Sequence, residues 1–206
     1  MSASERVAII GAGGHAKVVI STLRAAGHTV TAVFDDDPAK HGTSVLGVKV
    51  LGATAEFDGY GKAVIAVGNN ATREMIAERF KGVDWMTVVH PGAYLDPSVR
   101  IGEGTVVFAG SVIQPDAVIG THVIINTSAT VDHDCVIGDY SHLAPGAHLA
   151  GGNWVGGGAL LGIGAVVVPG RRIGERAVIG AGGVVVKDVP AGTIAFGVPA
   201  APRKSR

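Results

Sequence analysis

The sequence predicts two domains, an α/β domain with a small parallel sheet followed by an all-β domain that forms a parallel β-helix. Strand-like and helix-like patterns alternate over roughly residues 5–90, which is typical of a parallel sheet covered by helices. From Ile101 onwards an aliphatic residue returns at every sixth position, which indicates a hexapeptide repeat. The 32 glycines lie mostly after residue 100, where the corners of such a repeat would use them.

The first half contains four strand candidates and two helix candidates. Short apolar runs ending in glycine or polar residues predict strands, and they occur at Arg6–Gly11, Thr29–Asp37, Lys62–Asn70 and Trp85–Ala93. Helical spacing predicts a helix over His15–His28, with Val18, Val19, Leu23 and Ala26 on one side and Gly27 as its stop. A second helix is predicted over Ala71–Gly82, with Met75, Ile76 and Phe80 on one side.

The second half follows three columns of residues. The aliphatic column is Ile101, Val107, Ile113, Ile119, Ile125, Val131, Ile137, Leu143, Leu149, Val155, Leu161, Val167, Ile173, Ile179 and Val185. Two residues earlier the side chain is mostly small, and one residue later a glycine returns at Gly102, Gly120, Gly138, Gly156 and Gly174. We expect triangular coils of three six-residue faces, in which the aliphatic residues fill the interior and glycine provides positive φ at corners.

Composition excludes several classes of protein. Lys plus Arg and Asp plus Glu each total 17, so no excess positive charge favours nucleic acid or an anionic membrane. The single cysteine excludes an internal disulfide framework and favours a cytoplasmic protein. The start of the chain lacks the apolar core of a signal peptide, and no apolar run is long enough to predict a membrane span.

The segment Ile125–Gly146 places a His-Asp pair, the only cysteine and a second histidine close together. Cys135 falls in the small inward column, which indicates an inert core residue rather than a nucleophile. His133 and Asp134 fall on an outer face or corner, with Pro115 and Gly151 stacked beside His133 in the neighbouring coils. The pair could serve proton transfer, and a zinc site would require His122, His133, His142 and His148 to converge.

The stretch GAGGHA follows a strand and opens a helix, as a phosphate-binding turn does. Acidic residues end the next strand about twenty positions later, where a carboxylate can accept from ribose hydroxyls. Alone, this Rossmann-like pattern suggests binding of a dinucleotide. However, the domain has about half the length of a two-part dinucleotide fold.

The chain resembles the left-handed β-helix acyltransferases of the sialic acid O-acetyltransferase-like family. Within that family it resembles the nucleotide-sugar N-acetyltransferases of the bacillosamine and perosamine type, which acetylate 4-amino-4,6-dideoxy sugars. The resemblance covers nearly the whole chain and rests on GAGGHAK (Gly11–Lys17), FDDD (Phe34–Asp37), VGNN (Val67–Asn70), NTSATVDHDCVIGDYSH (Asn126–His142) and GVPA (Gly197–Ala200). Left-handedness follows from the resemblance alone.

The resemblance assigns roles to individual residues. His133 would be the general base, and Asp134 would orient its ring and raise its basicity. The nucleotide sugar would contact Gly13, Gly14, His15, Asp35, Asp36, Gly68 and Asn69. Acetyl-CoA, the cosubstrate, would contact His142, Gly151, Ile163 and Ala181, in a groove between neighbouring columns of a homotrimer. No metal is expected.

The expected organisation is a nucleotide-sugar domain over residues 1–90, a catalytic β-helix over 91–190 and a capping segment over 191–206. The expected reaction moves acetyl from acetyl-CoA to the 4-amino group of a nucleotide-linked sugar for surface glycan or glycoprotein synthesis, with UDP favoured. Alternatives are a GDP-perosamine-type enzyme, an O-acetyltransferase of sialic acid or another sugar, a zinc lyase and a non-catalytic nucleotide-sugar binder.

Overall fold

The computed structural model describes residues 6–59 and 61–202. Within this part of the chain, the N-terminal domain contains six strands, two α-helices and two 3-10 turns. In chain order these are β1 (Arg6–Ile10), α1 (Gly14–Ala25), β2 (Thr29–Phe34), a 3-10 turn (Pro38–Lys40), β3 (Ser44–Val45), β4 (Val48–Gly52), a 3-10 turn (Thr54–Glu56), β5 (Lys62–Ile65), α2 (Asn70–Arg79) and β6 (Asp84–Trp85).

The N-terminal strands form one sheet in the order β3-β4-β2-β1-β5-β6. All neighbours are parallel except β3 and β4, which form an antiparallel hairpin. The predicted strands at β1, β2 and β5 are confirmed. The hairpin was missed, although Val48 and Val50 alternate with exposed residues along β4 and are buried.

Both predicted helices exist, but each buries a somewhat different face. In α1, Val19 and Leu23 are buried as predicted, whereas Val18 is 39% exposed. In α2, Met75 is 62% exposed, and the buried residue is the charged Arg73. A pattern of apolar residues cannot reveal that a cation takes the inner position of a helix.

The second domain is a column of short parallel strands. In chain order these are β7 (Val88–Val89), β8 (Tyr94–Leu95), β9 (Arg100–Ile101), β10 (Val106–Val107), β11 (Val112–Ile113), β12 (Val118–Ile119), β13 (Ile124–Ile125), β14 (Thr130–Val131), β15 (Val136–Ile137), β16 (His142–Leu143), β17 (His148–Leu149), β18 (Trp154–Val155), β19 (Leu160–Leu161), β20 (Val166–Val167), β21 (Arg172–Ile173), β22 (Val178–Ile179), β23 (Val184–Val185), β24 (Ile194–Phe196) and β25 (Ala201–Pro202). The first of them lies before residue 91, where the sequence pattern places the domain boundary.

Three faces enclose the column. Face 1 contains β7, β10, β13, β16, β19, β22, β24 and β25, face 2 contains β8, β11, β14, β17, β20 and β23, and face 3 contains β9, β12, β15, β18 and β21. From β7 to β23 the paired residues are eighteen apart, as for Val131 and Leu149, whereas Val178 of β22 pairs with Ile194 of β24, sixteen residues on. The aliphatic column is buried along its length, apart from half-buried Ile101. The predicted hexapeptide β-helix is therefore confirmed.

The backbone at the corners differs from the expectation that the glycines after the aliphatic residues have positive φ. Positive φ recurs at every sixth residue from Gly104 to Gly182, three residues after the aliphatic position, and several of these residues are not glycine. The glycines that directly follow the aliphatic residue serve another purpose. A Cβ at Gly138 would lie 2.5 Å from the backbone nitrogen of Gly157 in the next coil. These glycines allow coils to approach closely, and they were wrongly assigned to positive φ.

The N-terminal domain packs on face 1 through α1. Val19, Ile20 and Leu23 of this helix share a buried cluster with Val106 and Ile124 of face 1. The same cluster continues into the parallel sheet on the other side of the helix. The helix that follows the glycine loop is thus held between the two domains, which fixes the loop above face 1.

A buried guanidinium provides a second connection between the domains. Arg73 is 1% exposed and donates from Nε to the carbonyl oxygen of His122 at 2.8 Å and from Nη2 to that of Tyr140 at 2.7 Å. Its Nη1 donates to the carbonyl oxygen of Val67 at 3.0 Å, and Nη2 also donates to Asn70. Burial lowers the pKa of Arg73 to about 10, so the side chain remains charged at neutral pH.

The C-terminal segment extends face 1. Strand β24 pairs in parallel with β22, and β25 then runs antiparallel to β24. Ala195 of β24 is buried in the interior of the column. The predicted cap reaches to residue 206, and its last four residues lie outside the described part of the chain. Among the described residues, no helix is long and apolar enough to cross a membrane.

We expect Gly138→Ala to lower the free energy of unfolding by about 1–3 kcal/mol, because the new methyl group forces two coils apart. Gly170→Asn is the matched control. Gly170 has φ +68 and open space at its Cβ position, and asparagine tolerates this conformation better than most residues. Urea unfolding of both variants measures the difference, and equal losses would contradict the assignment of the two glycine classes.

We expect Arg73→Met to lower the free energy of unfolding by about 2–4 kcal/mol, because several buried carbonyl oxygens lose their donor. The control is Arg176→Met, which removes the exposed ion pair between Arg176 and Glu74 and should cost less than about 1 kcal/mol. Calorimetry of both variants tests the contrast. A loss for Arg73→Met no larger than the control's would show that the buried contacts contribute little.

Candidate active site

Cys135 lies inside the column and does not reach the surface. Cys135 is fully buried, and its thiol donates to the carbonyl oxygen of Ala150 at 3.2 Å. Burial raises the pKa of the Cys135 thiol, which disfavours the reactive thiolate. Thr105, Ser111 and Ser141 occupy equivalent inward positions and donate to carbonyl oxygens in the same way. The interpretation of Cys135 as a core residue is confirmed.

His133 and Asp134 form an exposed pair at the corner between faces 2 and 3. The Nδ1 of His133 lies 2.7 Å from Oδ2 of Asp134, and the side chains are 60% and 66% exposed. The hydrogen bond that Nδ1 of His133 donates to the carboxylate of Asp134 raises the pKa of His133 above its ordinary value. Asp134 has φ +58, an uncommon conformation that aspartate tolerates better than most residues. Nε2 of the ring is left for proton transfer.

Gly151 lies beside the ring of His133 in the next coil, as the eighteen-residue period predicts. A Cβ at this glycine would lie 2.5 Å from both Cε1 and Nε2 of His133. The space created by the missing side chain therefore holds the imidazole ring itself. Any larger residue at this position would collide with the nitrogen that can accept a proton.

The glycine loop lines a cavity of about 330 Å³, which we call the nucleotide cavity. It is lined by Gly11, Gly13, Gly14, His15, Asp35, Lys40, Ala66, Val67 and Gly68. At Gly13, Gly14 and Gly68, an added Cβ would have no atom of the described residues within 4 Å, so bare backbone faces the cavity. Helix α1 begins at Gly14, and amide groups at a helix N-terminus favour a phosphate.

The acidic residues after β2 point in different directions. Oδ2 of Asp35 accepts from the backbone nitrogen of Ala12 at 2.6 Å, and both of its carboxylate oxygens accept from Lys40 Nζ at 3.1 Å. Burial alone would raise the pKa of Asp35, but these hydrogen bonds hold it below its ordinary value. Asp36 instead accepts from the backbone and hydroxyl of Thr54 and does not line the nucleotide cavity.

Asn69 and Lys40 differ from what the sequence motifs predict. Asn69 caps α2, with Oδ1 accepting from the backbone nitrogen of Thr72 at 2.9 Å. Lys40 was missed, although it lines the nucleotide cavity. It lies in a 3-10 turn after Asp37, where no periodic pattern marks a side chain as functional.

His142 and His15 meet between the two domains. Their ring centroids are 6.3 Å apart, and Asn126 Nδ2 lies 3.0 Å from Nε2 of His142. The His142 ring also forms a hydrogen bond with the backbone of Gly68. Burial, together with the charge of Arg73, lowers the pKa of both histidines to about 4, so both rings are neutral at neutral pH.

The residues assigned to acetyl-CoA lie on two sides of face 2. Ile163 and Ala181 are exposed at the corner between faces 1 and 2, and Gly151 lies at the corner between faces 2 and 3. His142 belongs to β16 of face 1. The four histidines considered for zinc occupy different faces or corners, and no metal-binding group of three or more His, Cys, Asp or Glu occurs within the described ranges.

A single chain does not bring the histidine pair to the nucleotide cavity. The N-terminal domain packs on face 1, whereas His133 lies at the opposite corner of the triangular column. A molecule held at the glycine loop would therefore lie across the column from the Nε2 of the same chain.

Two family models match the chain. The model described as the PglD N-terminal domain matches residues 6–80, and the bacterial transferase hexapeptide model of six repeats matches residues 116–151. These regions correspond to the sheet with the glycine loop and to the coils around His133.

Solved structures match over the full length. A histidine variant of perosamine N-acetyltransferase from Caulobacter crescentus, in complex with CoA and GDP-perosamine, is 44% identical, with a TM-score of 0.92 and coverage of 100% of this chain and 99% of that one. The acetyltransferase domain of PglB from Neisseria gonorrhoeae is 38% identical, with a TM-score of 0.92 and coverage of 97% and 100%.

Curated relatives match over shorter stretches. The UDP-N-acetylbacillosamine N-acetyltransferase of Bacillus subtilis is 41% identical over 117 residues, which cover 49% of this chain and 50% of that protein. An uncharacterized mimivirus protein is matched over 21% of its length, so the chain spans half or less of these two proteins. The full-length structural matches nevertheless show that the chain belongs to the left-handed β-helix acyltransferases, in the family of the bacillosamine and perosamine N-acetyltransferases.

Proposed function

We propose that this chain transfers acetyl from acetyl-CoA to the 4-amino group of a nucleotide-linked 4-amino-4,6-dideoxy sugar. The observation that carries the proposal is the pair of His133 and Asp134, whose free Nε2 lies over Gly151. This is the arrangement that a general base requires, since one ring nitrogen is fixed by a carboxylate and the other is open. Full-length similarity to a perosamine N-acetyltransferase supports the choice of acceptor.

In the proposed reaction the sugar amine attacks the thioester carbonyl carbon of acetyl-CoA directly. A carbon–nitrogen bond forms and the carbon–sulfur bond breaks, while Nε2 of His133 accepts the proton that the amine loses. CoA leaves as a thiolate and takes up a proton. Asp134 holds the imidazole through Nδ1 and stabilises the imidazolium form. No covalent enzyme intermediate is needed, which agrees with the buried position of Cys135.

We propose that the working unit is a homotrimer with sites shared between neighbours. The nucleotide cavity lies over face 1, and His133 lies at the opposite corner. In our proposal, acetyl-CoA lies between two columns and meets Ile163, Ala181 and His142 of one chain. Gly151 and His133 would come from its neighbour. The proposed compartment is the cytoplasm, consistent with the single unpaired cysteine.

The nucleotide cavity is the proposed acceptor site. Gly13, Gly14 and His15 would contact the diphosphate and sugar, Asp35 would position the base or ribose, and Gly68 would close the cavity. The geometry gives less support to Asp36 and Asn69, whose side chains are engaged with Thr54 and Thr72. Lys40 adds a positive charge beside Asp35, which suits an anionic ligand.

An acceptor screen identifies the nucleotide of the acceptor and distinguishes N-acetylation from O-acetylation. UDP is favoured by the sequence, and the similarity to an enzyme crystallised with GDP-perosamine makes GDP the second candidate. CoA release is measured with 4-amino-4,6-dideoxy sugars linked to UDP, GDP and dTDP, and with sialic acid. Release only with a hydroxyl acceptor would show O-acetylation, and no release with any acceptor would favour a nucleotide-sugar binder. The product would serve surface glycan or glycoprotein synthesis.

We expect His133→Ala to reduce kcat by about 10²–10⁴-fold, the loss that follows removal of a general base, with little change in the KM for acetyl-CoA. The base acts only when neutral, so activity should fall as the pH drops below the raised pKa of His133. Asp134→Asn removes the carboxylate charge that strengthens this hydrogen bond and raises the pKa of His133, so the acidic limb of the kcat/KM profile should move to lower pH. Near-normal kcat in His133→Ala, or an unmoved limb, would contradict the assignment.

We expect two impaired variants to complement each other if the site is shared and activity is measured below the raised KM. Gly13→Val places a side chain where backbone faces the nucleotide cavity and should raise the KM for the sugar nucleotide, whereas His133→Ala removes the base. Co-expression in equal amounts should restore about a quarter of wild-type activity. In a cyclic trimer that mixes both variants, one site combines an unmodified nucleotide cavity with an unmodified His133. Activity no higher than that of the separate variants would show that each site lies within one chain.

A further inference from the structure

The carboxylate of Asp35 is saturated with hydrogen bonds from the protein itself. Its Oδ2 accepts from the backbone nitrogen of Ala12 at 2.6 Å, and its Oδ1 accepts from that of Asp37 at 3.0 Å. Both oxygens also accept from Nζ of Lys40 at 3.1 Å. A carboxylate offers about four lone-pair positions, and these contacts occupy them. A ribose hydroxyl group could bind to Asp35 only by displacing one of these donors.

Lys40 is the member of this pair that the nucleotide cavity presents to a ligand. Its side chain is 37% exposed, whereas that of Asp35 is 13% exposed. Of the described residues that line the cavity, only Lys40 has a positively charged side chain at neutral pH, because burial and the charge of Arg73 keep His15 neutral. An ammonium group has three donors, so Nζ can bind both oxygens of Asp35 and still donate to a ligand.

The ammonium group of Lys40 also lies close to the glycine loop. Oδ2 of Asp35 accepts from both Nζ of Lys40 and the backbone nitrogen of Ala12, so a single oxygen atom separates the ammonium group from the loop. Helix α1 begins at Gly14, two residues after Ala12, and its N-terminus favours a phosphate. The diphosphate of a sugar nucleotide is the ligand group whose charge suits both the ammonium group and the helix N-terminus.

We propose that Lys40 contacts the diphosphate of the sugar nucleotide, that Asp35 acts only as the anchor of Lys40 and the glycine loop, and that the site does not select the ribose 2′-hydroxyl group. The inference rests on the proposed function and narrows the role of Asp35 within it. In dinucleotide-binding folds, a carboxylate at the end of the second strand accepts from this hydroxyl group. Asp35 follows β2 in the equivalent place, but its lone pairs are already used.

The first measurement compares nucleotides that differ only in the 2′-hydroxyl group. Calorimetry gives the Kd of UDP and GDP and of their 2′-deoxy counterparts for the wild-type protein. We expect each deoxy form to bind within about threefold of its ribose counterpart, because a hydrogen bond to a carboxylate would contribute about 10-fold or more. A larger penalty for removal of the hydroxyl group would overturn the inference, and so would a lack of binding by all four nucleotides.

The second measurement removes the ammonium group. Lys40→Met should raise the Kd of the nucleoside diphosphate by about 10–100-fold and leave the KM for acetyl-CoA unchanged, whereas Lys40→Arg keeps the charge and should retain most of the affinity. Lys49→Met is the matched control, because Lys49 is exposed on β4 and does not line the cavity. Added NaCl should weaken binding to wild type by screening, and this effect should be smaller in Lys40→Met, which a purely structural loss would not produce.

The outcomes separate this inference from the proposed function. An unchanged Kd in Lys40→Met, an equal rise in Lys49→Met, or an unchanged salt dependence would overturn the contact between Lys40 and the diphosphate. None of these results would affect CoA release by wild type, which is measured in parallel with the amino sugar nucleotides. Conversely, nucleotide binding that depends on Lys40 without CoA release from any acceptor would support the contact and overturn the proposed acetyl transfer.

Discussion

The arrangement of the two domains depends most directly on the hydrogen bonds that the guanidinium of Arg73 donates. It joins the carbonyl oxygen of Val67, which lines the nucleotide cavity, to those of His122 and Tyr140 in the β-helix. Its partners are neutral oxygens, so the charge remains uncompensated within this contact and acts on nearby groups. Together with burial, it keeps His15 and His142 neutral. One side chain thus sets both the geometry and the electrostatics of the domain boundary.

The eighteen-residue period of the coils determines the surroundings of His133 at the corner between faces 2 and 3. Because each residue lies beside the one eighteen positions away, the choice of Gly151 determines the space around the ring of His133. The inward column follows the same rule, and its hydroxyl and thiol groups are satisfied by carbonyl oxygens of the next coil. A strictly repeating backbone can therefore carry a unique site, since only the outward side chains need to vary.

The sequence was sufficient for the β-helix because every coil repeats the same pattern, and a pattern observed many times specifies register as well as strand identity. It also located Cys135 in the core and His133 at a corner. It could not locate Arg73, because a buried cation in an amphipathic helix has the same spacing as a surface residue. Nor could it separate Asp35 from Asp36, since neighbouring carboxylates at the end of a strand point to different partners that only the folded chain brings near.

The end of the column has a consequence for self-association. A stack of parallel coils presents unpaired backbone groups at its last strand, and such an edge can template the addition of another chain. Among the described residues, the last strand on face 1 is β25, which runs antiparallel to β24 and contains Pro202, a residue without a backbone donor. A further parallel coil cannot continue the ladder in register on such an edge. On face 1, the reversal of one short strand therefore disfavours end-to-end addition of another column.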